Sequence, residues 1–276
     1  MQEIGEDFST NLEISSSSGA GGRNPINLGD LKDLQHIGYH LQMKILSLNI
    51  RQGGGPRAKC ILREIEQVAD CDIVVLTEIR NNLNLPYFKS VLDYLGYTSQ
   101  FDTSGEPLLN GVLVACKKKC KFHVYDTLGK DSHRLIRISM GGMKIFACYF
   151  DQGNAKKPLF NFLLKELPKH KKAILCGDIN TGKREIDQVA ATFYCYKQFE
   201  QLETSAKLTD AWRAIHGDKR EYSWYSNKPH CNGFRIDHFF VSAQLKPKIK
   251  DCYYNHSIRE RKDKVSDHSM MVFELG

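Results

Sequence analysis

Five apolar runs in this sequence end on, or are interrupted by, side chains that can bind a cation or move a proton. Asn49 stands at the end of Ile45-Leu46-Ser47-Leu48, and Glu78 at the end of Ile73-Val74-Val75-Leu76-Thr77. Asp178 and Asn180 follow Ala173-Ile174-Leu175-Cys176, Asp237 and His238 sit inside Phe234–Val241, and Asp267-His268 precedes the last apolar stretch. A carboxylate or amide at the end of a buried strand costs desolvation unless it is paired or bound to a cation. Singly, each is equally a turn former or a helix cap. Together they describe a pocket at one edge of packed sheets, rich in hard oxygen ligands and carrying an imidazole. With no cysteine in the set, magnesium or manganese suits it better than zinc.

The elements that must position these residues are legible from periodicity. Strands are expected at 45–50, 72–76, 97–101, 112–116, 134–139, 143–150, 173–176, 234–242, 248–254 and 269–275. Gly141-Gly142 joins two of them as a hairpin. Residues 57–69 place Cys60, Ile61, Ile65 and Val68 on one helical face; further helices are expected near 86–95 and over 156–167. Helices between strands, with hairpins late in the chain, make an α/β fold with mixed sheets. Gly53-Gly54-Gly55 lacks the Lys-Ser/Thr of a P-loop and reads as a turn beside Asn49.

Composition narrows the partner. The 276 residues carry a formal charge of +7, and 41% of them are hydrophobic, enough for a core. Residues 1–42 hold two basic and six acidic side chains, a net of −4, so 43–276 carries +11. A basic body suits a polyanion, nucleic acid first. The leader contains Ser15-Ser16-Ser17-Ser18-Gly19-Ala20-Gly21-Gly22, a flexible tract. Leu31, Leu34, Ile37 and Leu41 beyond it form one face of a short helix that could dock on the domain or on a protein partner. The chain therefore divides into an acidic extension, 1–42, and a compact basic domain, 43–276. No run is long enough for a membrane span, and the N-terminus lacks a secretory pattern. Nine scattered cysteines without Cys-x-x-Cys indicate reduced thiols, and a cytoplasmic, nucleoid or nuclear monomer is expected. Lys117-Lys118-Lys119, Lys156-Lys157 and Lys169-His170-Lys171-Lys172 could follow a phosphate backbone, though such clusters are usually solvated surface. Trp212 and Trp224 read as core residues.

The ordered set Ser47-Leu48-Asn49-Ile50, Leu76-Thr77-Glu78-Ile79, Cys176-Gly177-Asp178-Ile179-Asn180, Arg235-Ile236-Asp237-His238 and Ser266-Asp267-His268-Ser269 resembles the endonuclease/exonuclease/phosphatase superfamily over about 43–276. Ala147-Cys148-Tyr149, Tyr222-Ser223-Trp224 and Gly233-Phe234-Arg235 bring it nearest to exonuclease III and the apurinic/apyrimidinic endonucleases. The resemblance implies a four-layer α/β/β/α sandwich of two mixed sheets. It also implies Mg2+-dependent (or Mn2+-dependent) hydrolysis of DNA phosphodiesters. On this resemblance Glu78, Asn49 and Asp267 hold the metal, and Asp178 orients and deprotonates the attacking water with Asn180 beside it. His268 contacts the phosphate, Asp237 fixes its tautomer, and Tyr149 donates to a phosphate oxygen.

The sequence departs from the family pattern at several points. Arg51 stands where small or acidic residues are common, which suggests a phosphate contact. Asp151-Gln152 replaces a frequent Pro-Asn pair, with Gln152 supplying the amide. His238 follows Asp237 in place of an aromatic residue and reads as structural. Phe234 takes a tryptophan's position, and Arg235 beside it is a candidate substrate contact. Two other functions stay open: a phosphoesterase of the same scaffold acting on inositol phosphate, sphingomyelin or a protein–DNA phosphodiester, and a binding module without catalysis.

Overall fold

The computed structural model describes residues 42–276 except Ala69, Ala191, Thr192 and 228–230. The acidic extension and its expected helix lie outside the described residues, apart from Gln42. In chain order the strands are β1 Met43–Asn49, β2 Ile73–Ile79, β3 Ser99–Asp102, β4 Gly111–Cys116, β5 Lys121–His123, β6 Leu135–Met140 and β7 Met143–Tyr149. They continue with β8 Ala173–Asp178, β9 Leu208–Asp210, β10 Trp224–Tyr225, β11 Gly233–Phe234, β12 Asp237–Ser242, β13 Ile249–Asn255 and β14 Met270–Leu275. The helices are α1 Ala58–Glu66, α2 Asn84–Tyr94, α3 Lys157–Glu166, α4 Tyr196–Thr204, α5 Ala211–His216 and α6 Ser257–Glu260.

Two six-stranded mixed sheets form, in the orders β13-β14-β1-β2-β4-β3 and β5-β6-β7-β8-β12-β9, with β10 and β11 as a separate ribbon. Alternation along each strand decides which side chains go where. Ile45, Ile73, Val75, Ile145, Ala147, Ile174, Cys176, Phe239 and Val241 meet in the core between the sheets. The intervening Leu46, Leu48, Val74 and Leu76 pack under α1 and α2 through Ile61, Ile65, Phe88 and Leu92. Phe146, Cys148, Leu175 and Phe240 meet Leu159, Phe160, Leu163, Phe199 and Leu202 of α3 and α4. Both sheets are thus covered on their outer faces, and the fold is the four-layer α/β/β/α sandwich expected.

The pairing brings the polar strand ends together. β1 runs parallel to β2, with Asn49 opposite Thr77. β7 runs parallel to β8, with Tyr149 opposite Asp178, and antiparallel β12 sets Asp237 against the same Asp178. Carboxyl ends of parallel strands and the amino end of an antiparallel one share an edge.

The differences from the sequence reading are local. The expected strand 234–242 is broken into β11 and β12, because Arg235 and Ile236 leave the ladder as the chain passes from the ribbon into the second sheet. Strands β5, β9 and β10 and helices α4, α5 and α6 were not expected; they are short or weakly patterned, and α4 buries only Phe199 and Leu202. The hairpin at Gly141-Gly142 forms with φ of 55° and 76°, the double positive φ that only glycine adopts freely. No helix among the described residues is long and apolar enough to cross a membrane.

Candidate active site

Asn49, Tyr149, Asp178 and Asp237 occupy positions that, by alternation, continue the core between the sheets. Each is the last or first residue of its strand, so the inter-sheet core changes at this edge from aliphatic to polar. Glu78 arrives differently. Alternation from Val74 and Leu76 would send it toward the helices, but a β-bulge between Thr77 and Ile79 and a φ of 59° re-aim it. A left-handed glutamate costs roughly 1–2 kcal/mol, a strain that surrounding contacts must hold.

Hydrogen bonds tie the set together. Asn49 is buried, and its Nδ2 donates to Glu78 Oε1 at 3.0 Å and to Asp178 Oδ2 at 2.9 Å. Its Oδ1 accepts from the Arg51 backbone N–H at 2.8 Å. The Glu78 carboxylate also accepts from the Gln52 backbone N–H at 2.8 Å and from Tyr149 Oη at 3.3 Å. Burial pushes the Tyr149 hydroxyl well above its ordinary pKa, so it stays a donor. Asp178 Oδ1 accepts from the Asn180 N–H at 2.9 Å, while Asn180 Nδ2 reaches Phe150 O at 2.8 Å. Burial, with Asp237 adding to it, pushes the Asp178 carboxyl up to about 7.

His268 Nδ1 lies 2.9 Å from Asp237 Oδ2. Burial opposes protonation of the ring, yet the Asp237 carboxylate outweighs it and pushes the imidazole up to about 10. Asp178, Asp237 and His268 place one ligand atom each within 4.8 Å of one another. The Nδ1–carboxylate bond joins His268 to Asp237, while Asp178 takes its hydrogen bonds from Asn49 and Asn180.

A second acidic pair fits a cation better. Asp267 accepts from Trp224 Nε1 at 3.3 Å through Oδ2, with Arg51 Nε at 3.9 Å, while its Oδ1 is buried with no hydrogen-bond partner. An orphaned carboxylate oxygen lining the same cavity as Glu78, in an all-oxygen donor set, suits a hard divalent ion. The expected ligand Asn49 presents Nδ2, not Oδ1, to the carboxylates. Its role here is donor and spacer, and ligation would require the amide to turn.

A cavity of about 500 Å³ opens over these groups and is lined by Glu78, Asp178, Asn180, Asp267 and His268. Three of the four expected substrate contacts, Arg51, Gln152 and Phe234, also line it. Arg235 does not belong with them. It is fully buried, with Nε 2.7 Å from Asp187 Oδ1 and an Nη2 2.6 Å from Asp210 Oδ2, so its guanidinium is consumed by a structural ion-pair network. His238 is likewise internal, bonded to Thr181 O at 2.9 Å.

Trp212 is core as expected, but Trp224 is in the cavity wall, tilted against Phe234 and His268. Sequence reasoning also missed Phe193 and Tyr194, which lie in the wall, and Asn110, whose Nδ2 donates to Tyr149 Oη at 3.4 Å. Only Trp224 had a signal, its place in Tyr222-Ser223-Trp224.

With this geometry in view, residues 46–268 match the model of the endonuclease/exonuclease/phosphatase family. The chain belongs to that family. An exodeoxyribonuclease from Bacillus subtilis is 33% identical to this chain over 110 residues. That match covers 35% of this chain and 43% of the Bacillus protein, less than half of its length. A 3′ phosphatase from Neisseria, solved with product DNA hairpin, superposes with a TM-score of 0.72 at 21% identity, over 85% of this chain and 99% of that one. An AP endonuclease from Archaeoglobus fulgidus gives 0.68 at 24% identity, over 84% and 99%. These structural likenesses carry the fold of the endonuclease/exonuclease/phosphatase family across nearly the whole of each solved chain.

Proposed function

We propose that residues 43–276 form a divalent-metal-dependent phosphodiesterase that hydrolyses DNA, of the exonuclease III or abasic-site endonuclease type. The observation that carries this reading is the meeting of Glu78, Asp178 and the Asp237–His268 pair at one cavity. The family's name, the Bacillus exodeoxyribonuclease and the DNA-bound Neisseria phosphatase support a DNA substrate, as does the basic body.

Glu78 and Asp267 would hold the cation, Mg2+ or Mn2+. When bound it supplies positive charge that offsets the charge building on the phosphoryl oxygens. The remaining chemistry belongs to the chain. Asp178, with a pKa near neutrality, is poised to orient a water and take its proton. Asn180 and Asn49 hold that carboxylate by hydrogen bonds to both oxygens. His268, kept charged by Asp237, donates from Nε2 to a phosphate oxygen. Tyr149, held protonated, donates toward the scissile phosphate or its leaving oxygen.

The deciding experiment is a panel of labelled blunt duplex, single strand, abasic duplex, RNA and inositol phosphate, each with magnesium and with chelator. Cleavage of duplex or abasic DNA with magnesium and none with chelator is expected. Equal rates in chelator would remove the metal from the mechanism, and inositol phosphate as the best substrate would overturn the nuclease reading.

A further inference from the structure

Three cations line the cavity, and two of them have acids to answer them. Arg51 faces Asp267, and His268 is bonded to Asp237. The third, Lys156, is 2% exposed and makes no ion pair among the described residues. Its one bond is from Nζ to the backbone carbonyl of Asn180. The neighbouring Lys157 is exposed, so the 3₁₀ turn Gly153–Lys156 ahead of α3 turns this lysine alone inward. The expectation of solvated surface at Lys156-Lys157 therefore fails at the first of the pair.

A buried ammonium with one acceptor is costly: it has three N–H donors and a charge to balance. The nearby acids are committed elsewhere. Asp151 is paired with Arg134 at 2.9 Å, and Asp178 takes its hydrogen bonds from Asn49 and Asn180. A lysine kept only to tether the Asn180 carbonyl would be poor economy, since a neutral amide does this without burying charge.

We propose that Lys156 is a substrate-phosphate contact, clasping the Asn180 carbonyl with one N–H and offering the others to a phosphoryl oxygen beside Asp178. The assignment rests on the phosphodiesterase reading above. It adds a cation beside the proposed metal-binding acids: Asn49 links Glu78 to Asp178, and Lys156 reaches Asp178 through Asn180. Burial also holds the amine down to about 8, against the pull of Asp178, Cys195 and Asp151. Across the cavity it is faced by Glu78, Asp267 and His268 as well, and Lys157 adjoins it in sequence. An arriving phosphate anion would favour the charged amine.

The test uses the full chain in chelator, with inorganic sulfate as the probe because it remains a dianion from acid to alkaline pH. Lys156→Gln keeps a donor for the Asn180 carbonyl and removes the charge. Sulfate affinity by calorimetry is expected to drop roughly tenfold to a hundredfold. Read in an Asp178→Asn background, which removes the neighbouring carboxyl raised to about 7, affinity is expected to decline as pH rises through about 8, and Lys156→Arg to lose that decline. Unchanged affinity in Lys156→Gln, or no sulfate binding by the wild type, overturns the assignment. Should Lys156→Gln not fold, Lys156→Arg decides alone: a decline still centred near 8 overturns it. Hydrolysis separates the two readings. DNA cleavage by Lys156→Gln at wild-type kcat and KM removes the Lys156 contact only. A wild type that binds sulfate through Lys156 but cleaves no nucleic acid removes the nuclease reading and keeps the anion site.

Discussion

His268 Nδ1 lies 2.9 Å from Asp237 Oδ2, and the side chains retain only 7% and 2% of their exposure. The pair is a buried charge and its counter-charge, and the imidazole proton depends on the carboxylate. Because the folded pKa is raised, the pair's stabilisation is complete below the ordinary 6.5 and is lost as pH rises through about 10. Asp237→Asn removes the chief opponent of burial. The His268 titration, followed by NMR, is expected to fall from about 10 toward 6.5, and the alkaline limb of kcat/KM to move with it. An alkaline limb that stays in place would show that His268 is not the group carrying the charge.

Asp178 carries the opposite burden. Its carboxyl is raised from 3.8 to about 7 by burial first and Asp237 second, so ionising it costs folding energy. The sign follows: relative stability is full below 3.8 and is lost as pH rises through about 7. In chelator, Asp178→Asn should therefore melt several degrees above wild type at pH 8 and converge with it near pH 4. Turnover should fall ~10²–10⁴-fold, the usual contribution of a positioned base. A variant that loses stability along with activity would mean that Asp178 is structural.

Glu78→Gln tests the cation site without removing the bulge that holds residue 78. Calorimetric Mn2+ affinity is expected to drop at least tenfold, and the rise in melting temperature that metal gives the wild type to shrink accordingly. Equal metal affinity in wild type and variant would move the ligands elsewhere.

Arg235 joins Asp187 and Asp210 with no exposed atom. Arg235→Met leaves two buried carboxylates, Asp187 with Arg213 and Asp210 without a strong cation. The expected loss is about 3–5 kcal/mol in urea unfolding. A loss under ~1 kcal/mol, with KM for DNA raised instead, would return Arg235 to the substrate contacts.

The strand ends that carry chemistry were visible because apolar runs are loud in sequence, and Asn49, Asp178, Asp237 and Asp267-His268 interrupt them. The same alternation that marks β8 and β12 as buried also puts Asp178 and Asp237 on the inner face, so their facing was implicit in the chain. Arg235 read wrongly because a guanidinium next to a motif looks like a ligand contact; its partners Asp187 and Asp210 lie 48 and 25 residues away and signal nothing locally. Lys156 read as surface because one lysine in a pair carries no mark of which way it turns.

By itself the sequence determined the two covered sheets, the edge at which they end, and the residue types gathered there. Those follow from periodicity and from the cost of placing polar groups at the end of apolar strands. Tertiary structure decided how the residues face. A bulge and a left-handed φ take Glu78 off the helix side, a single 3₁₀ turn buries Lys156, and the Asn49 amide turns its nitrogen toward two carboxylates. Each depends on partners 24 to 129 residues away along the chain, and contacts at that range cannot be read from local pattern.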